Sequence, residues 1–149
     1  MGRKPRAKYP ARPIERISGA YCQKDEEMSD WQKATCHCGT VELSVRLSDG
    51  VNSIRRCDCS FCRRRQAAAV TTPLDGLVIV KGKDNLSMYQ WGTMTAKHYF
   101  CKTCGIYTHH QRRSNPNEFG VNAANIEGVD IRALEPILWH DGVNHPSDH

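Results

Sequence analysis

The sequence predicts a mainly β domain made of short strands and long irregular connections. Residues 40–47 alternate strictly between apolar and polar side chains, which is typical of a half-buried strand. Further short apolar runs follow, each bounded by glycine, proline, asparagine or aspartate. Seven of the eight cysteines fall in three tight clusters, which indicates turns built around metal ions rather than disulfide bridges.

The first half of the chain contains three of the predicted strands. The strand at 40–47 ends before an Asp-Gly turn signal at 49–50. Residues 54–57 are predicted as a short strand that leads into the central cysteine cluster. Small, β-compatible side chains make 67–72 the next strand, and Pro73 ends it because proline has no N–H to donate to a sheet.

The second half is predicted to continue as strands joined by turns. Residues 77–80 form a strand, 82–85 a turn, and 86–91 the hairpin partner of that strand. Residues 97–100 and 106–110 are predicted as strands on either side of the last cysteine pair. Three further elements are expected, namely a polar loop at 112–117, a last strand at 118–123 and a short helix or turn at 129–134.

The 149 residues suit one domain with a tail. Residues 1–30 hold three prolines and seven basic residues without periodicity, so we expect a disordered basic tail before a domain at 31–149. Met28 is an alternative natural start, which would make residues 1–27 an over-long gene prediction. No apolar run approaches the roughly 18 residues of a membrane span, and no secretory signal is evident, so we expect a cytoplasmic protein without membrane contact.

The clustered cysteines are expected to bind zinc, because thiols one or two residues apart make poor disulfides and good chelates. The clusters are Cys36 and Cys38, then Cys57, Cys59 and Cys62, then Cys101 and Cys104. Cys22 stands apart from them and is expected to be a free thiol.

The two outer pairs are predicted to form one closed site. Each pair is followed by a glycine, which lets the backbone turn around a metal ion. A closed four-cysteine site contributes directly to the free energy of folding. Spacing alone leaves a three-plus-one arrangement open. However, the central triplet cannot be divided without sharing sulfurs, so four plus three is the simplest partition.

The central triplet of Cys57, Cys59 and Cys62 is the candidate active site, because three thiolates leave one zinc position open. The alternative is a second structural site that another side chain completes. The sequence offers four candidates for that ligand, namely Asp58, His98, His109 and His110.

Five arginines flank the triplet, namely Arg55, Arg56, Arg63, Arg64 and Arg65. They offset the negative charge of three thiolates, and a guanidinium fork also suits a carboxylate. We therefore take Arg56, Arg63 and Arg64 as candidate binding residues for an anionic thiol such as glutathione. The alternative is a solvated basic surface that only neutralises the thiolates.

The net charge of +5 is weak evidence for nucleic-acid binding. Residues 1–27 hold seven basic and four acidic residues, so more than half of the excess lies outside the expected domain. Aromatic residues make up 7% of the chain, and none forms a stacking strip beside the arginines. Nucleic acid is therefore not the expected partner.

The order of these motifs resembles the glutathione-dependent formaldehyde-activating enzyme (GFA) family, whose domain also occurs in centromere protein V. The shared pattern is C-x-C-G at 36–39, C-x-C-x-x-C at 57–62 and F-C-x-x-C-G at 100–105, and the resemblance covers roughly residues 31–143. It implies a zinc-bearing β-tent, the Mss-four-like fold, built of small antiparallel sheets.

The same resemblance implies two zinc sites. The structural site would use Cys36, Cys38, Cys101 and Cys104, and the catalytic site would use Cys57, Cys59 and Cys62. The second ion is expected to be the more labile because it has one protein ligand fewer. The implied activity is that of a carbon–sulfur lyase, in which a thiolate attacks an aldehyde carbon and reversibly joins glutathione and formaldehyde to S-hydroxymethylglutathione. The alternatives are a zinc-stabilised binding module for nucleic acid or protein, and a purely structural or metal-storage protein.

Overall fold

The computed structural model describes residues 30–146, so the predicted tail, Cys22 and the Met28 start lie outside the described residues. Within this range, ten strands and one short helix follow one another. They are β1 (Trp31–Thr35), β2 (Glu42–Arg46), β3 (Arg56–Cys57), α1 (Cys62–Arg65), β4 (Ala69–Pro73), β5 (Leu77–Lys81), β6 (Leu86–Tyr89), β7 (Lys97–Cys101), β8 (Tyr107–Gln111), β9 (Glu118–Asn122) and β10 (Trp139–His140). Single 3₁₀ turns lie at Gly50–Ser53, Leu74–Gly76, Lys83–Asn85, Ala123–Asn125 and Ile131–Leu134. The predicted mainly β fold of small antiparallel sheets is confirmed.

The first sheet has three antiparallel strands in the order β1-β2-β5. Its central strand confirms the alternation seen at 40–47, because Val41, Leu43 and Val45 are buried and the polar residues between them are half-buried. This periodicity of two gives the sheet one apolar face and one polar face.

The second sheet has five antiparallel strands in the order β4-β9-β8-β7-β6. Val70 of β4 and Val121 of β9 are fully buried and share one core cluster with Leu43 and Val45 of the first sheet. The hydrophobic core is therefore built from both sheets, and it holds each in a fixed position relative to the other.

A third, two-stranded element joins distant parts of the chain. Strand β10 runs parallel to β3, with Trp139 opposite Arg56 and His140 opposite Cys57. The strand predicted at 118–123 is present as β9, but it is not the last strand, because β10 follows it. Because β10 has only two residues and both are exposed, its sequence carries no alternation that could reveal it.

The predicted hairpin between 77–80 and 86–91 is also wrong. Strand β5 pairs with β2 in the first sheet, whereas β6 pairs with β7 in the second. The chain changes sheets at Gly82, whose φ of 80° lies in the left-handed region. A Cβ atom at this position would collide with the backbone of Thr40, so only glycine fits where the chain leaves β5 beside the first cysteine turn.

Two elements were missed because their sequences lack a clear pattern. Strand β1 exposes its first three residues, and α1 is a single turn of one cysteine and three arginines. The polar loop at 112–117 and the turn near 129–134 lie where the sequence predicts them. Among residues 30–146, no helix is long and apolar enough to span a membrane.

Candidate metal centres and the adjoining cavity

Four cysteine sulfurs converge where the two sheets meet. Cys36 and Cys38 lie in the turn between β1 and β2, and Cys101 and Cys104 lie at the end of β7 and in the turn that follows. The four Sγ atoms all lie within 4.8 Å of one another. This four-cysteine group joins residues that are more than 60 positions apart in the chain.

Matching backbone turns aim these sulfurs at one point. The Gly39 N–H donates to the Cys36 carbonyl at 3.1 Å, and the Gly105 N–H donates to the Cys101 carbonyl at 2.8 Å. Both glycines have positive φ, +76° and +74°, a conformation that other residues adopt only at a cost. The glycine after each pair is therefore required by the turn.

The sulfur spacing fits a tetrahedral zinc ion. Cys38 Sγ lies 3.6 Å from Cys36 Sγ and 3.7 Å from Cys101 Sγ. Zinc–sulfur bonds of about 2.3 Å in tetrahedral geometry place sulfurs about 3.8 Å apart. Burial raises the pKa of Cys36 to about 11, while the Thr40 hydroxyl lowers the pKa of Cys38 to about 6. The Cys36 and Cys38 thiols therefore differ strongly in their affinity for a proton. A single metal cation could bind all four sulfurs of the group.

The second group, the cysteine triplet, is built on β3 and α1. Cys57 ends β3, Cys59 lies in the turn, and Cys62 begins α1, with the three Sγ atoms within 4.8 Å of one another. The Cys62 N–H donates to Cys59 Sγ at 3.3 Å, which fixes the turn around the second sulfur. The triplet could therefore hold one metal ion through three sulfurs.

No fourth ligand joins the triplet among the residues that the structure describes. The four candidates were Asp58, His98, His109 and His110. Asp58 Oδ1 instead accepts a hydrogen bond from the Gly142 N–H at 2.7 Å. His109 Nδ1 lies 3.0 Å from the Thr108 hydroxyl, and the other two histidines are held by neighbours described below. Within residues 30–146, the protein therefore offers this site three ligands, all of them cysteine sulfurs.

The triplet sulfurs differ strongly in their affinity for protons. Hydrogen bonds from the Cys57 and Cys62 side chains hold the pKa of Cys59 far below that of an ordinary thiol. The Cys57 and Cys59 side chains, together with burial, raise the pKa of Cys62. Cys59 is therefore the sulfur that becomes a thiolate most readily.

The segment around β10 covers the triplet, which the sequence did not reveal. A Cβ atom at Gly142 would collide with Cys57 Sγ and the backbone of Cys59, so only glycine fits there. The Asp58 N–H also donates to the His140 carbonyl at 3.2 Å. A single glycine in a polar segment carries no signal of such long-range packing.

A cavity of about 520 Å³ opens beside the triplet. All three triplet cysteines line it, together with five arginines, two buried or half-buried histidines of the second sheet, the loop after β6 and the segment around β10. The arginines are Arg55, Arg56, Arg65, Arg112 and Arg113. Asp141 is the one carboxylate in this lining, so guanidinium groups outnumber carboxylates there, although Arg56 and Arg112 also pair with Glu135 and Glu118 outside it.

The predicted arginines occupy different positions relative to this cavity. Arg56 lines it, although one of its guanidinium nitrogens lies 2.7 Å from a carboxylate oxygen of Glu135. Arg63 and Arg64 do not line it, and their side chains are exposed. Arg112 and Arg113 were missed because they lie about 50 residues from the triplet in the sequence.

Arg65 connects the triplet to the second sheet. Its guanidinium donates to Cys62 Sγ at 3.5 Å and to His98 Nδ1 at 3.3 Å. The same group lies 3.6 Å from the centre of the Tyr107 ring, within the range of a cation–π contact. Arg65 thus places positive charge against the thiolate cluster.

The two cavity histidines of the second sheet, His98 and His110, are held in the neutral form at pH 7. Burial lowers the pKa of His98 to about 4, with a smaller contribution from the Arg65 charge. Burial likewise holds the pKa of His110 well below its usual range. Neutral imidazoles can both donate and accept hydrogen bonds, so they add polar chemistry to the cavity without more charge.

Comparisons with known proteins agree with this arrangement. A family model described as "Glutathione-dependent formaldehyde-activating enzyme" matches residues 31–139, which include both cysteine groups. A crystal structure of a Rhodobacter sphaeroides protein, a Northeast Structural Genomics target, is similar at 61% sequence identity and a TM-score of 0.72. That match covers 72% of this chain and 99% of the other. With the family match spanning most of the described residues, the chain belongs to the glutathione-dependent formaldehyde-activating enzyme family, as its motifs predicted.

Proposed function

We propose that this protein is a zinc-dependent carbon–sulfur lyase that reversibly joins a small thiol and an aldehyde. The substrates that fit best are glutathione and formaldehyde, which combine to S-hydroxymethylglutathione. The observation that carries the proposal is the cysteine triplet, which opens onto a cavity lined by five arginines. A three-sulfur site beside a cationic cavity suits a ligand that brings its own sulfur and negative charge.

Each cysteine group has its own role in this proposal. Cys36, Cys38, Cys101 and Cys104 hold a structural zinc ion, and Cys57, Cys59 and Cys62 hold the catalytic one. A zinc ion bound at the triplet would stabilise the substrate thiolate and polarise a carbonyl oxygen. The protein contributes the position of the thiol, the counter-charge and the path of the proton.

The arginines supply the affinity for an anionic thiol. Glutathione carries two carboxylates, and Arg112 and Arg113 lie in the cavity wall with the triplet. Arg56 remains a candidate, although Glu135 already neutralises part of its charge. The proposed binding roles of Arg63 and Arg64 find no support in the cavity lining.

The proposed reaction is the addition of a thiol to the carbonyl group of an aldehyde. The thiolate sulfur forms a bond to the aldehyde carbon, the carbonyl π bond breaks, and the oxygen gains the proton that the thiol lost. The reverse reaction breaks the carbon–sulfur bond and regenerates both substrates. Because the cysteine groups need reduced thiols, we propose a cytoplasmic location.

A binding module for nucleic acid is less well supported. Arg65 and Arg112 are half-buried in the cavity wall rather than arrayed on an exposed stripe. Charge placed in a cavity wall suits a small anionic ligand better than a nucleic acid.

Calorimetry with glutathione and zinc-loaded protein tests the proposal, paired with exchange NMR of formaldehyde and glutathione. We expect saturable binding and faster exchange than in buffer alone. Cys59→Ser is the matched variant, since it removes one triplet sulfur and leaves the cavity arginines in place. Absence of both binding and faster exchange in the wild-type protein would contradict the proposal.

A further inference from the structure

Two stacked histidines form the cavity wall on the side of the second sheet. His98 of β7 and His110 of β8 pair in register, and their ring centres lie 5.2 Å apart with an interplanar angle of 23°. Both rings line the cavity together with the triplet. The roles proposed for the cysteines and arginines leave both histidines unassigned. The addition nevertheless has to move a proton from the thiol to the aldehyde oxygen.

The hydrogen bonds around Tyr107 bear on where His110 carries its proton. The Tyr107 hydroxyl lies 3.1 Å from the Gly120 carbonyl oxygen, which can only accept. The Tyr107 oxygen also lies 2.6 Å from His110 Nδ1. The arrangement that gives all three groups a hydrogen bond has the hydroxyl donating to the Gly120 carbonyl and accepting from His110 Nδ1–H. In this arrangement, Nε2 of neutral His110 is left as an acceptor.

The neighbouring ring has the opposite arrangement. Arg65 can only donate, so His98 Nδ1 accepts its hydrogen bond and the His98 proton resides on Nε2. Both rings line the cavity, and in this arrangement the pair carries one acceptor nitrogen, His110 Nε2, and one donor, His98 Nε2–H. Such a pair matches a reaction that removes a proton from one substrate atom and gives it to another.

We propose that His110 carries the proton in this reaction, and that Tyr107 is the positioning residue that keeps its Nε2 free to accept. This inference rests on the proposed function. His110 Nε2 takes the thiol proton as the sulfur becomes a thiolate, and the resulting imidazolium returns it to the aldehyde oxygen as the carbon–sulfur bond forms. The reverse sequence of proton transfers serves the cleavage direction.

The surroundings of His110 suit a group that holds a proton only briefly. The charged and titratable groups that act on it are Arg65 of α1, His98 of β7, His109 of β8 and Arg112, which follows β8, and none of them carries a negative charge. Together with burial they disfavour the imidazolium, so the proton is passed on readily. Gly120 of β9 lies against the ring, and a Cβ atom there would displace it.

Long-range ¹H–¹⁵N NMR of the imidazole nitrogens in zinc-loaded wild-type protein tests the geometry directly. We expect His110 protonated on Nδ1 and His98 protonated on Nε2. Tyr107→Phe removes the acceptor and should shift His110 towards the Nε2–H tautomer, which a merely structural role for the tyrosine would not require. An Nε2–H tautomer of His110 in the wild-type protein would overturn the inference.

Exchange NMR of formaldehyde and glutathione tests the role in catalysis. His110→Gln keeps the size of the side chain but cannot carry a proton, and we expect its exchange rate to fall about 100-fold with zinc content and glutathione affinity unchanged. His109→Gln is the matched control on the same strand, since His109 does not line the cavity, and its rate per folded molecule should stay within about twofold. A wild-type rate in His110→Gln refutes the proton carrier alone, whereas no acceleration by the wild-type protein refutes the proposed function itself.

Discussion

The four-cysteine group lies where the two sheets meet, whereas the cysteine triplet lies in the wall of a cationic cavity. Both use the same ligand atom, and both depend on tight backbone turns. The first lies between its own glycine turns and the core, with Cys36 and Cys101 buried, Cys104 half-buried and Cys38 exposed. The second is covered by a segment from the end of the described chain, held through Gly142. The number of ligands and the surroundings together separate a site suited to stabilising the fold from one suited to chemistry.

Cys104→Ser should produce the largest effect, because it opens the group that joins the two sheets. Structural zinc sites contribute folding free energy directly, so we expect loss of several kcal/mol and failure to fold at 37 °C. Circular dichroism during thermal unfolding, with zinc content measured in parallel, checks this. A folded variant with one zinc per chain and lost activity would show that the roles of the two groups are reversed.

Cys59→Ser should instead abolish activity and cost less than about 1 kcal/mol of stability. Serine can still accept the hydrogen bond from the Cys62 N–H, and the core between the sheets is untouched. We expect zinc content to fall from two ions to one, because a site with two sulfurs retains the ion poorly. Unfolding in denaturant and metal analysis measure both quantities. If Cys59→Ser failed to fold, the cysteine triplet would be structural as well, and the proposed difference between the two groups would be wrong.

The sequence could predict the cysteine groups because their spacing is local. A C-x-C or C-x-x-C turn directs its sulfurs to one point wherever it lies in the fold, and the glycine after each outer pair marks the left-handed turn. The alternation at 40–47 was equally local. The cavity depends instead on Arg112, Arg113 and Gly142, which only long-range packing brings to the triplet. No pattern in the sequence links residues that are 50 to 85 positions apart.

The failed hairpin has the same physical origin. Both strands were recognised from their composition, but β5 pairs with β2, which lies far earlier in the chain, and β6 pairs with β7. The sequence also could not predict the hydrogen bonds between Tyr107 and His110, because they depend on the Gly120 carbonyl of a neighbouring strand.

Acid should weaken the fold through a residue that belongs to neither cysteine group. Burial lowers the pKa of His109 to about 4, so the unfolded chain binds its proton more tightly than the folded one. The stability that it contributes is complete above pH 6.5 and is lost as the pH falls towards 4, at about 1.4 kcal/mol per pH unit and about 3 kcal/mol in total.

Denaturant unfolding of wild type and His109→Gln across this pH range separates that contribution from loss of zinc. The variant should lose stability less steeply, while the acid loss due to the thiolates remains in both proteins. Parallel curves would mean that His109 is not neutral in the folded state.

The smallest effect should come from comparing two arginines for glutathione affinity. Arg112 lines the cavity and is positioned by its donation to the Thr71 hydroxyl at 2.7 Å, whereas Arg64 is exposed and outside the lining. Arg112→Gln should weaken glutathione binding by tenfold or more, about 1.4 kcal/mol, because a carboxylate loses a charged donor. Arg64→Gln should leave the dissociation constant within about twofold, since exposed charges contribute little.

Calorimetry on the zinc-loaded variants gives both constants. Equal losses would indicate that the arginines act through general charge rather than position, and a loss confined to Arg64→Gln would move the binding site from the cavity to the outer side of α1.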